Sequence, residues 1–96
     1  MLMNFSSTDA VVGEPSQVPH PHPLDVELGR YIRKRRRELG LSQDQLGRMI
    51  GVTFQQVQKY EHGTNRVSFS RLVEIAQSLN CTVAELIGDL GNTKAA

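Results

Sequence analysis

The residues best equipped for chemistry in this 96-residue chain lie in one run, Phe54 to Arg66, FQQVQKYEHGTNR. Val57 and Tyr60 are three apart, the spacing of one helix face. With both turned inward, Phe54, Gln55, Gln58, Lys59 and His62 point outward. That set has no carboxylate and several amide or cationic donors. A Gln amide can bond N6 and N7 of adenine together, a Lys ammonium can reach O6 and N7 of guanine, and an apolar ring can meet a thymine methyl. The chemistry on offer is therefore base-edge recognition from a helix laid in a major groove. Gln56, on the same helix, is a further candidate for base contact. Two capped helices of this kind also occur in αα-hairpins that bind no DNA, and the pattern alone leaves that reading open.

Several elements must hold this helix. Gly40 ends a preceding helix, and Ser42 with Gln45 three residues later forms a capping box. The helix so opened runs from Gln43 to Ile50, with Leu46 and Ile50 on its buried face, and Gly51 stops it. Thr53 with Gln56 predicts a second capping box, opening the outward-facing helix, which His62-Gly63 ends. Gly47 is expected where two helices cross closely. Upstream, Asp25 to Leu39 predicts a helix with Leu28, Ile32 and Leu39 as its apolar stripe and Asp25 and Glu27 favourably placed in its first turn. Arg36 falls on that stripe, four after Ile32. A cation there needs either a partner or a path to water. Downstream, Ser68 caps a helix from Phe69 to Leu79 whose core face is Leu72, Ile75, Ala76 and Leu79. Asn80 fits a left-handed stop, and Thr82 with Glu85 opens a short helix through Ile87, ended by Gly88.

Net charge is only +1, but it is unevenly distributed. Residues 1–23 hold Asp9 and Glu14 and no Lys or Arg, whereas Leu24 to Arg66 holds nine Lys or Arg against five acids. Positive charge thus gathers around the two capped helices, the electrostatic footprint of phosphate contact. The run RKRRR, Arg33 to Arg37, reads as a solvated helix face with long-range attraction for DNA rather than as a nuclear-localisation signal.

The stretch from Gly40 to Gly63 resembles the helix-turn-helix of the Cro and phage-repressor type, the XRE family. The matching residues are Gly40-Leu41-Ser42-Gln43, Leu46, Gly47, Ile50-Gly51-Val52, Val57, Tyr60-Glu61 and Gly63, and the resemblance extends over roughly Leu24 to Gly88. Val67, where proline is common, and Phe54, where a polar residue is commoner, depart from the pattern. The resemblance implies an all-α, compact five-helix lambda-repressor-like DNA-binding domain. It implies an ion pair between Arg36 and Glu61, tying the first helix to the end of the recognition helix. It also implies that the loop after that helix lies against the sugar-phosphate backbone. Ser42, Gln43, His62, Thr64, Asn65 and Arg66 are the phosphate-contact candidates, the first two through the free amides of a helix N-terminus.

The expected organisation is an arm of disordered character over 1–23, a DNA-binding domain over 24–88 and a flexible tail over 89–96. The arm carries all four prolines and ends in VPHPHP. No apolar run reaches the length of a membrane span, and one cysteine, Cys81, suits a reducing cytoplasm. Cys81 reads as a small buried residue between helices. Val83, Leu86, Ile87 and Leu90 exceed what a short terminal helix usually buries. They are candidates for a dimer seam or, equally, for core packing. The expectation is a cytoplasmic, cofactor-free transcriptional regulator of double-stranded DNA, acting as a homodimer on a palindromic operator. Two other readings keep the fold: an antitoxin whose arm or fifth helix holds a protein partner, and an interaction module that binds no DNA. Nothing in the sequence pairs a nucleophile with a base, clusters metal ligands or forms a Gly-rich phosphate loop, so no enzyme is expected.

Overall fold

A computed structural model describes residues 20–88, 90 and 91. The chain forms α1 (Pro23–Glu38), α2 (Gln43–Ile50), α3 (Phe54–His62), α4 (Phe69–Ser78) and α5 (Val83–Ile87), with no strand among the described residues. Most of the expected arm and tail, residues 1–19, 89 and 92–96, lies outside the described residues.

Local chemistry accounts for most helix ends. Ser42 and Gln45 form a reciprocal capping box, as do Thr82 and Glu85, and Ser68 caps α4 through the Arg71 amide. Each such cap contributes about 1 kcal/mol. Asn80 takes the left-handed conformation, at φ 58°. Thr53 accepts from the Gln56 amide, but no return bond from Gln56 completes the expected box. α1 starts two residues earlier than its acidic turn predicts. Pro23 occupies the first turn, where its missing N–H costs nothing, and the His22 ring nitrogen Nδ1 accepts from the Leu24 amide at 3.0 Å. The ordered fold therefore takes in His22 and Pro23, which the sequence assigns to the arm. At the other end α1 stops at Glu38, so Leu39 leaves the predicted stripe and is exposed.

The core draws one fully buried side chain from each of the first four elements: Ile32, Leu46, Val57 and Ile75, with Leu79 closing α4. Leu28, Ile50, Tyr60, Ala76 and Leu86 complete it, and Val83, Ile87, Leu90 and Cys81 pack half-buried against it. Polar ties join the pieces. Arg71 donates to the Ile50 carbonyl at 2.6 Å, holding α4 to the end of α2. Arg35 donates to the Leu79 and Asn80 carbonyls, joining α1 to the α4–α5 turn.

The tie that fixes α3 is a buried ion pair. Arg36 Nε and Nη2 meet Glu61 Oε2 and Oε1 at 2.6 and 3.0 Å, and Nη1 donates to the Leu41 carbonyl at 2.8 Å. The side chains are 9% and 1% exposed. Gln43 Nε2 adds a third donor to Glu61, at 3.0 Å. Every charged oxygen of Glu61 is thus hydrogen-bonded, the condition on which a buried pair is tolerated.

Two glycines let α1 and the end of α3 meet. A Cβ on Gly29 would lie 2.5 Å from the Tyr60 carbonyl oxygen and closer still to that of Glu61. Gly63, at φ 78°, would meet the Val26 backbone at 2.8 Å. Gly47 lets the start of α3 approach α2 closely: its Cβ would strike the Val52 carbonyl oxygen in the turn at 2.6 Å and lie 3.3 Å from the carbonyl of Thr53, the N-cap of α3.

Gly29→Ala should lower stability by about 1–3 kcal/mol, because the added methyl has only carbonyl backbone to displace; urea denaturation monitored by circular dichroism measures it. Glu61→Ala should cost about 3–5 kcal/mol by leaving Arg36 buried and unpaired, and pairing it with Arg36→Met should recover part of that loss. A Glu61→Ala chain as stable as the parent would show that Arg36 reaches water unaided.

Candidate nucleic-acid interface

α3 presents its polar face because its apolar and acidic residues are turned inward. Val57, Tyr60 and Glu61 are buried, and Gln55, Gln58, Lys59 and His62 are exposed. These four follow the spacing i, i+3, i+4, i+7 and share an arc of about 100°. Among the described residues their side chains make no hydrogen bond or ion pair, so their donors and acceptors are free for a ligand. Phe54 stands at one margin of the arc, 43% exposed. Gln56 lies at the other margin, half-buried beside Tyr60, and is the least available of the base-contact candidates.

The phosphate-contact candidates divide. Ser42 is exposed at the N-terminus of α2, its Oγ accepting from the Gln45 amide. The amides of Gln43 and Asp44 that follow have no intrahelical partner by helix geometry. The Asp44 carboxylate beside them is held 2.8 Å from Arg48. The Gln43 side chain is turned inward onto Glu61. It braces the ion pair rather than standing free, a role that nothing in its sequence neighbours signals.

Beyond α3 the loop is less open than its polar sequence predicts. Thr64 is half-buried and donates through Oγ1 to the Lys59 carbonyl at 3.3 Å. Asn65 is only 6% exposed, and its Oδ1 is sealed from solvent without a hydrogen-bond partner among the described residues. This corrects the expectation of a freely exposed donor at Asn65: the loop folds back on the start of α1, where Gly63 touches Val26. Arg66 is exposed, with Nε 3.0 Å from Asp25 Oδ2. That contact fixes where the guanidinium stands and leaves its outer edge in solvent. His62, at the end of α3, is exposed beside this loop.

The arrangement is a short helix with a free amide-rich and cationic face, backed by an ion pair and flanked by a helix N-terminus and an arginine. It can lay donors and acceptors along base edges while its flanks meet phosphates.

Comparison with known proteins bears on this geometry. A helix-turn-helix family model matches residues 32–86. An uncharacterised HTH-type transcriptional regulator of Sinorhizobium medicae is 52% identical over 77 residues, covering 76% of this chain and 55% of that protein. The chain thus spans about half the length of that relative. Among solved structures, the restriction-modification controller protein C.AhdI from Aeromonas hydrophila superposes with a TM-score of 0.61 at 31% identity, over 64% of this chain and 92% of that one. The P22 c2 repressor in complex with a synthetic operator gives 0.57 at 29% identity, over 62% and 89%. With all five helices, the buried Arg36–Glu61 tie and these likenesses in hand, the chain belongs to the helix-turn-helix family of the phage-repressor type.

Proposed function

We propose that this chain is a sequence-specific DNA-binding transcriptional regulator that reads a palindromic operator as a homodimer. The observation that carries the reading is the free arc of Gln55, Gln58, Lys59 and His62 on a helix whose opposite side is clamped by Arg36–Glu61. A reading helix must be rigid behind and unoccupied in front, and α3 is both. The concentration of cations between Leu24 and Arg66 supports it, as does the operator complex formed by the similar P22 c2 repressor.

In this reading α3 enters the major groove. Gln55, near the middle of the arc, and Lys59, one turn along at its edge, take base edges, with Gln58 and Phe54 on the other side and Gln56 at the margin beyond Lys59. Ser42, the first amides of α2, His62 and Arg66 meet phosphates on either side, and Gln43 and Thr64 set their positions. No cofactor is required. The homodimer would use Val83, Ile87 and Leu90, which the core leaves half exposed, whereas Leu86 is committed to the core. Two copies would set their reading helices about one helical turn of DNA apart.

Selection of bound duplexes from a random pool at about 0.15 M salt, where exposed charges are already screened, should enrich an inverted repeat with half-sites about 10 base pairs apart. Enrichment of a lone half-site would remove the dimer, and no enrichment by a folded chain would remove sequence reading. On the selected site, Gln55→Ala should cost about 1–3 kcal/mol and relax preference at one base position. Equal losses on specific and random DNA would sink its assigned role.

A further inference from the structure

The helix that sends Arg36 into the core sends four other cations outward. Arg30, Arg33, Lys34 and Arg37 follow the spacing i, i+3, i+4, i+7 on α1, and all four are exposed. They share an arc of about 100° and span about 10 Å along the helix axis. Lys34 has a loose contact, 3.9 Å to Glu38. Arg30, Arg33 and Arg37 have no acidic partner among the described residues. Like charges on adjacent turns repel, and among the described residues none of the four holds another element in place. We propose that this face of α1 binds the phosphates of DNA flanking the site read by α3, extending the footprint with contacts that carry no sequence information.

Position supports this. Gly29 and Val26 border the basic arc, and they are the α1 residues pressed against the Tyr60 and Glu61 carbonyls and against Gly63. Arg33 is one turn along from Gly29, and Arg37 one turn further. The basic face therefore runs beside the end of α3 and the loop that carries Arg66. It continues the phosphate-facing edge rather than lying across the molecule from it.

Composition separates DNA from a protein partner. Three of the four cations are arginines, whose planar fork matches phosphate oxygens. Among the described residues the exposed large apolar side chains are Leu24, Leu39, Met49, Phe54 and Phe69, and none lies on this arc. Protein interfaces centre on buried aromatic or aliphatic anchors. A rank of phosphates asks only for charge and reach.

The proposal rests on α3 as the DNA-reading helix, and the test keeps the two apart. A duplex of about 30 base pairs with the selected site at its centre is prepared in two forms, one with native flanks and one with flanking phosphates replaced by neutral methylphosphonates. Binding by the full chain is followed by fluorescence anisotropy across a salt series. The parent should prefer native flanks by about tenfold, with a salt slope steeper by about 3, near 0.9 for each phosphate neutralised. The combined Arg30→Ala, Arg33→Ala, Lys34→Ala and Arg37→Ala chain should bind both forms equally, and as the parent binds the neutral-flank form. An Arg33→Ala, Arg37→Ala chain should fall between and guards against loss of folding in the quadruple variant. A parent indifferent to its flanks, or a quadruple variant that keeps the preference, would overturn the proposal. So would a variant that loses equally on both forms, which would place the face inside the operator. Binding of polyglutamate that the variant loses, without any flank effect, would assign the face to an acidic protein. A parent that prefers native flanks but does not distinguish the site from random sequence would overturn the reading of α3 alone.

Discussion

The buried Arg36–Glu61 pair is the interaction on which the geometry of this molecule depends. It is the one place where α1, the start of α2 and the end of α3 meet through charge rather than apolar surface. Its bidentate form fixes direction as well as distance, because a guanidinium fork accepts a carboxylate in few orientations. Burial makes the contact all-or-none: both charges are hydrogen-bonded together, or one is stranded in low dielectric. The cost of desolvation is offset by three donors on Glu61 and by the Leu41 carbonyl on Arg36. Hydrophobic packing alone would leave α3 freer to rock on Val57 and Tyr60, since apolar contact is non-directional.

The pair works with the two glycines that flank it. Gly29 brings α1 within contact of the last carbonyls of α3, and Gly63 turns the chain sharply against Val26. The closeness of the backbones places Glu61 within a direct hydrogen bond of Arg36, and the ion pair keeps them close. Arg66 on Asp25 repeats the arrangement at the surface, where solvent screening leaves it worth at most about 1 kcal/mol. The inner contact therefore sets the position of α3, and the outer one sets only the course of the loop.

Much of this was legible in the sequence where the determinant is local. Ser42 with Gln45, Thr82 with Glu85, Ser68 and Asn80 each announce a helix end through residues within four positions of one another. The outward face of α3 followed from Val57 and Tyr60 alone. What escaped was set across distance. Gly29 has no sequence neighbour that marks it as a crossing point, and the contact it permits lies more than thirty residues away. Gln43 looks like a free polar residue at a helix start until Glu61 is brought beside it. Asn65 reads as loop surface, yet the fold-back of Gly63 onto α1 buries it. Leu39 fits the α1 stripe by period, but the helix stops one residue short of it. Arg36 is the instructive intermediate: its misplaced charge signalled a partner, and only the family resemblance named which one.

The division of labour within α3 has a consequence for descent. Residues 57, 60 and 61 hold the helix, whereas the side chains of 55, 58, 59 and 62 are exposed and make no hydrogen bond or ion pair in the described fold. Substitutions at such uncommitted surface positions typically alter stability by no more than about 0.5 kcal/mol. A duplicated copy could exchange all four while inheriting the same core, caps and clamp. On the proposed reading of α3, preference can then drift at these positions without first acquiring compensating mutations, and each copy can settle on its own target.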